Sequence, residues 1–171
     1  TFGSPGSGSV NHLASEWLAV AAGVKMLHVP YKGGAPAVSA VATNEVIWTI
    51  AGLPGVTPHL QAKRVKVLGT TTAKRTAQTP DWPTAQEGGI PSVDASIWVG
   101  FFVPKGTPKN VINKLYSVSA DMLKFPDVKE RFATVGGAEA IGMPPAEFHT
   151  RVKQDAVRYK KVVQDVGIPP Q

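Results

Sequence analysis

The residues of this chain best suited to chemistry are Gly3-Ser4-Pro5-Gly6-Ser7-Gly8-Ser9-Val10-Asn11-His12, a Gly/Ser-rich loop leading into a segment of helical apolar period. A helix that starts here leaves its first backbone N–H groups without intrahelical acceptors. Neighbouring hydroxyls and permissive glycines complete a recipe for holding an anion. The chemistry this describes is binding rather than bond making. Gly3 to Gly8 does not fit G-x-G-x-x-G, lacks the G-K-[ST] ending of a P-loop, and places no serine in G-x-S-x-G. On spacing alone, ligand binding and plain helix capping stay equally open.

Tyr31-Lys32-Gly33-Gly34 is a second loop at an expected helix start, now with a cation and a phenol beside two glycines. It either contacts an anion or simply turns the chain. His12 and Glu16, four apart, share one helix flank, which suits a local hydrogen-bonded pair or, in an enzyme, an acid/base pair. No H-E-x-x-H is present, and His28, His59 and His149 follow no ligand spacing, so no metal site is expected. A nucleophile, base and orienting residue in matched positions are also missing, which weighs against catalysis.

Composition narrows the classes further. Seven basic residues face four acidic ones in residues 1–90 and eleven face eight in 91–171, so the net charge of +6 is spread evenly. Lys63-Arg64-Val65-Lys66 and Lys74-Arg75 lack interleaved aromatics, and no nucleic-acid partner is expected. Without cysteine there is no disulfide, thiolate metal site or Cys nucleophile. No apolar run approaches the roughly 20 residues of a membrane span, so direct membrane insertion is not expected. The chain opens at Thr1-Phe2 rather than Met, which reads as a fragment or a processed product.

The elements that must carry the two loops follow from periodicity. Val10, Leu13, Ala14, Trp17, Leu18 and Ala21 predict a helix over about 9–22, capped by Ser7 or Ser9 and closed by Gly23. Strands are expected at 25–29, 46–50, 65–71 and 95–103. Helices are expected from Pro36, over 56–62, from Pro108 behind a Thr107 cap, after Pro126 up to Gly136-Gly137, and from Pro144-Pro145 to Gly167, with one helical turn at 85–88. The stripes Val111, Ile112, Leu115, Val118, Met122 and Phe148, Val152, Ala156, Tyr159, Val163, Val166 are expected core. Alternating strands and helices predict an α/β fold with a mostly parallel sheet, whose ligand crevice lies beyond the carboxyl ends of the strands.

Several segments together resemble one family. Gly6-Ser7-Gly8-Ser9-Val10-Asn11-His12-Leu13-Ala14 with Glu16, His28-Val29-Pro30-Tyr31-Lys32-Gly33-Gly34-Ala35-Pro36-Ala37, Pro80-Asp81-Trp82-Pro83-Thr84-Ala85-Gln86-Glu87-Gly88-Gly89, Trp98-Val99-Gly100 and Pro104-Lys105-Gly106-Thr107-Pro108 occur in order along the chain. This pattern is similar to the tripartite tricarboxylate transporter substrate-binding receptors, or Bug (TctC-like) family. The departures are Asn44 and Lys63, where the family usually has glycine, Ile47, often polar there, and Met143, where a Ser/Thr cap is common.

The resemblance implies a type II periplasmic-binding-protein-like fold: residues 1–80 as the second, ligand-binding lobe, and 81–171 as the crossover and C-terminal part of the first. Family members are longer, and the chain is similar to their C-terminal portion, the remainder supplying the opposing half of the carboxylate site. The implied function is a periplasmic receptor, without catalytic residues or cofactor, that captures a small organic acid for membrane transporter subunits. Its ligand-binding residues are expected to be Ser7, Gly8 and Ser9, supported by His12, with Lys32, Gly33 and Gly34 opposite. The alternatives are a carboxylate- or phosphate-processing enzyme using His12 and Glu16, and a sensory binding module.

Overall fold

The structure, a computed structural model, describes residues 1–90, 93–136 and 138–167. The chain divides into two compact units, Thr1–Ile97 together with the chain from Tyr159 onward, and Trp98–Arg158.

The first unit is organised by three short parallel strands in the order β2-β1-β3: β1 Phe2–Ser4, β2 His28–Pro30 and β3 Trp48–Thr49. Phe2 lies opposite His28 on one side and Trp48 on the other. β1 is central and buried along its whole length. Such a strand has room only for residues that fit the interior: Phe2 fills core, and Gly3 admits the Tyr31 ring and Val46, which an added Cβ would meet at 3.2 and 3.3 Å. The opening segment, read from sequence as loop alone, thus contains the middle strand of the sheet.

Each strand delivers the chain to a helix: α1 Val10–Ala21, α2 Gly34–Ala42 and α3 Leu53–Gln61. All three helices therefore begin at the carboxyl edge of the sheet, the edge where parallel α/β folds hold ligands. Leu13, Ala14 and Ala19 of α1 and Ala37, Val38 and Ala40 of α2 enter the core with Phe2 and Val46. The small side chains of α2 let its backbone approach the sheet closely.

The three helices end alike. Gly23 takes a φ of +68° and the Val24 N–H reaches back to the Ala19 carbonyl. Asn44 at +61° and Lys63 at +54° repeat the motif, with Glu45 N–H on Ala40 O and Arg64 N–H on His59 O. The two positions where the sequence departs from glycine are thus left-handed residues that terminate helices.

Two expected strands do not form. Within 65–71 only Thr70 makes a bridge, to Thr84, and 96–103 pairs with no strand among the described residues. Apolar β-prone runs need a ladder partner to become strands. Val99, Phe101 and Phe102 are instead 94%, 83% and 69% exposed. The expected turn at 85–88 does form, as a reciprocal cap in which Thr84 N–H donates to Glu87 Oε2 at 2.9 Å and Glu87 N–H to Thr84 Oγ1 at 3.2 Å.

The second unit holds α4 Lys109–Met122, α5 Pro126–Arg131, a wider helical turn Phe132–Gly136, and the start of α6 Pro145–Val166. Gly137, part of the expected stop for α5, lies outside the described residues. Pro108, not Thr107, occupies the N-cap position of α4; the Thr107 hydroxyl donates to Pro104 O at 2.8 Å. The α4 stripe is not core here, since Leu115 and Val118 are 51% and 54% exposed among described residues that do not cover them. On α6 the most buried positions are Asp155 and Val162, while Ala156 faces solvent. Trp98 Nε1 and Arg151 Nε donate to Asp155 Oδ2 at 2.7 and 2.8 Å, and the Arg158 guanidinium reaches its other oxygen. Burial pushes the Asp155 carboxyl up, but these donors outweigh it and hold it below the ordinary value.

Candidate functional site

The loop between β1 and α1 turns some of its donors inward and leaves others unclaimed: the Ser9 N–H donates to Gly6 O at 3.3 Å. Gly6 N–H donates to Ser4 Oγ and Gly8 N–H to His12 Nδ1, both at 3.1 Å. Ser9 is the N-cap of α1: its hydroxyl accepts the His12 N–H at 3.2 Å and donates to Gly6 O at 2.7 Å. Among the described residues, no hydrogen bond takes up the backbone N–H of Ser7, Val10 or Asn11, and the exposed Ser7 hydroxyl is equally free. Gly6 and Gly8, at φ of +147° and +75°, supply the backbone conformations that this loop requires.

The second loop is tied directly to the first. Tyr31 N–H donates to Ser4 O at 2.9 Å and Gly33 N–H to Pro5 O at 3.1 Å. Gly33, at +118°, is the N-cap of α2 and has no side chain to offer, so among the described residues the first N–H groups of α2, on Gly34 and Ala35, are left open. Lys32 is exposed at the same turn. Asn11 Nδ2 donates to Ile50 O at 2.7 Å and Thr49 Oγ1 to Gly3 O at 2.8 Å, fixing the exit of β3 against the same edge. None of α1, α2 or α3 carries an acidic residue in its first turn. Three positive helix ends therefore lie on one edge of the sheet, and none is neutralised by an acidic residue of its own first turn.

Behind the loop lies a stack of rings. His12 and His28 stack at 3.8 Å with 22° between planes, and Phe2 covers them at 6.2 and 5.0 Å, with Trp48 5.4 Å from Phe2. His28 Nε2 lies 2.6 Å from Ser4 Oγ. Because Gly8 donates to His12 Nδ1, that nitrogen carries no proton and the neutral ring is protonated at Nε2, which faces Glu16 at 3.7 Å. Burial lowers the His12 pKa, against the pull of Glu16, and burial followed by the neighbouring His12 lowers that of His28 to about 4. Both rings are neutral at physiological pH.

The structure thus brings Ser7, Gly8, Ser9 and His12 together and hydrogen-bonds their loop to the one bearing Lys32, Gly33 and Gly34. It gives them different tasks. Ser7 presents a hydroxyl and an N–H, Gly8 and Ser9 shape and cap the loop, and His12 sits beneath, with no ring nitrogen aimed past Gly8. Ser4 and His28 were not legible as partners, because their meeting depends on the register of β1 with β2. Ser4 next to a histidine has the look of a nucleophile and base, yet Ser4 is fully buried and its hydroxyl also donates to Gly6 O, so the pair is a brace. Among the described residues no three His, Asp or Glu side chains form a metal site.

Residues 1–168 match the family described as the tripartite tricarboxylate transporter family receptor. The chain belongs to this receptor family. A UPF0065 protein from the tcbD-tcbE intergenic region of Pseudomonas sp. (strain P51) is 37% identical over 164 residues, covering 95% of this chain and 48% of that protein. Among solved structures, R. palustris Rpa4515 with adipate is 32% identical with a TM-score of 0.87, covering 99% of this chain and 56% of that one. The periplasmic binding protein BugD is 31% identical with a TM-score of 0.81, covering 99% and 57%. The chain spans about half the length of the curated relatives it matches. These matches carry the fold of the receptors, α/β with a parallel sheet, and a family of binding proteins rather than enzymes. No helix among the described residues is long and apolar enough to cross a membrane.

Proposed function

We propose that this chain is the part of a periplasmic solute receptor that grips the carboxylate of a small organic acid, which the receptor delivers to the membrane subunits of a tripartite tricarboxylate-type transporter. In this reading residues 1–80 belong to the ligand-binding lobe and 81–171 to the crossover and the returning part of the other. The observation that carries it is the group of unclaimed donors at one sheet edge, the N–H groups of Ser7, Val10 and Asn11 beside the Ser7 hydroxyl. Gly8 and Ser9 hold that group in shape, and His12 supports it from below. Lys32, Gly33 and Gly34 form the facing side and add positive charge where a ligand brings negative charge. The adipate bound to a relative of the same fold agrees with a carboxylate as the recognised group.

A thermal-shift screen of the complete protein against adipate, citrate, aspartate and benzoate tests the reading, because a ligand selective for the folded state raises the melting temperature. At least one of these acids is expected to stabilise the protein in a concentration-dependent way, while matched uncharged amides do not. Equal responses to acids and amides would refute carboxylate recognition.

A further inference from the structure

His12 and His28 stand behind the anion loop, not in it, and between them they fix the Gly6 and Gly8 donors, while Gly6 O holds the Ser9 N–H. His12 takes the Gly8 N–H directly. His28 holds Ser4 at 2.6 Å, and Ser4 Oγ takes the Gly6 N–H. Ser7, between the two, keeps its N–H and hydroxyl unclaimed among the described residues. Because His28 also lies on β2, three residues before Tyr31, the stacked rings link the strand that feeds the second loop to the loop that feeds α1.

We propose that His12 and His28 are positioning residues for ligand binding: as a neutral stacked pair they turn the Gly6 and Gly8 N–H groups inward and leave those of Ser7, Val10 and Asn11 to the carboxylate, and protonation of the pair dismantles the arrangement and releases the ligand. The proposal rests on the carboxylate-binding reading above. Its chemistry is local. A proton on His12 Nδ1 turns an acceptor into a donor that faces the Gly8 N–H, donor against donor. Two imidazolium rings 3.8 Å apart also repel. Glu16, 3.7 Å from His12 Nε2, is the charged group on α1 that opposes this; β1 contributes only the Ser4 hydroxyl, and α2 and β3 carry no charged residue. Burial keeps both rings neutral at physiological pH, which places the release in acid.

The sign distinguishes this from direct contact. A histidine that touched the ligand carboxylate would bind it more tightly once protonated, whereas a histidine that braces the loop from behind binds it less tightly. The test is calorimetric titration of adipate and of citrate into the complete protein, wild type and His12→Asn, from pH 7.5 to pH 4.0. Asparagine Oδ1 can accept the Gly8 N–H as Nδ1 does, but it does not titrate. Whatever affinity His12→Asn has at pH 7.5, the ratio of wild-type to variant affinity is expected to fall by about tenfold or more on acidification, the loss of one hydrogen bond to a charged group. Taking the ratio cancels the titration of the ligand itself. A ratio that stays constant, or rises, overturns the proposal.

A second measurement needs no ligand: the Gly8 amide resonance of the wild type should shift with the same midpoint as the His12 and His28 ring carbons and stay flat in His12→Asn. A Gly8 resonance indifferent to the rings also overturns the proposal. If neither acid binds the wild type at pH 7.5 while Gly8 still follows the rings, it is recognition of those acids that fails, and the brace is upheld.

Discussion

The clearest physical consequence of the ring stack is a loss of stability in acid that belongs to His28. In the folded protein burial and the adjacent His12 hold its pKa at about 4, against 6.5 for an ordinary histidine. Between these values the unfolded chain binds a proton that the folded chain refuses. Stability is therefore complete above 6.5, falls as the pH drops through this window, and levels off once the folded ring also protonates near 4. Linkage sets the loss by pH 4 at about 3 kcal/mol for this half-buried group. Urea denaturation of wild type and His28→Gln at pH 7.5 and pH 4.0 measures it. Glutamine can place an amide nitrogen where Nε2 meets Ser4 Oγ but carries no titrating group. Wild type is expected to lose about 3 kcal/mol more than the variant. Carboxylates such as Asp155, whose lowered pKa makes its contribution vanish only below the ordinary carboxylate range, titrate alike in both and cancel. Equal acid losses in the two proteins would refute the burial argument.

Two further perturbations follow from the fold. Lys63→Gly relieves an exposed left-handed residue at the end of α3, φ +54°, and is expected to raise the urea midpoint by the equivalent of about 0.5–1 kcal/mol; an unchanged or lower midpoint contradicts the assigned helix stop. Gly100→Ala drives a methyl group into the Phe148 ring, which also packs edge-on against Trp98 at 5.1 Å. The cost is expected to be about 1–3 kcal/mol, and near-ultraviolet circular dichroism should report the disturbed aromatic cluster, whereas wild-type stability would contradict the packing.

Helices were the legible part of this fold, because apolar residues at helical spacing identify a face wherever the partner lies. The periodicity over 10–21 and the glycine at position 23 give α1 nearly to the residue. Strands were less legible for opposite reasons. β1 is three residues long and contains a glycine and a serine, a composition that reads as loop until its place between β2 and β3 is known. The run 95–103 has the right residues for a strand, but beyond Ala95, which bonds to Thr71, it pairs with no strand among the described residues, so composition alone overstated it.

The site was legible to the same depth. Its two loops could be found from Ser7, Gly8, Ser9 and Lys32, Gly33, Gly34, since helix starts and glycines are local signals. The division of labour could not. That Ser9 spends its hydroxyl on capping and His12 spends Nδ1 on Gly8 is set by distances of 3.2 and 3.1 Å across the loop, and the stacking of His12 on His28 is set by strand register.

The central claim is that the open donors around Ser7 grip a ligand carboxylate, and a calorimetric titration of adipate into the complete protein and its Ser7→Ala variant at pH 7.5 tests it most directly. Among the described residues Ser7 uses its hydroxyl for no hydrogen bond, so the substitution should leave the melting temperature of the ligand-free protein unchanged. Removal of one hydrogen bond to a charged group is expected to weaken binding by about tenfold or more. Wild-type adipate affinity in Ser7→Ala would contradict the account.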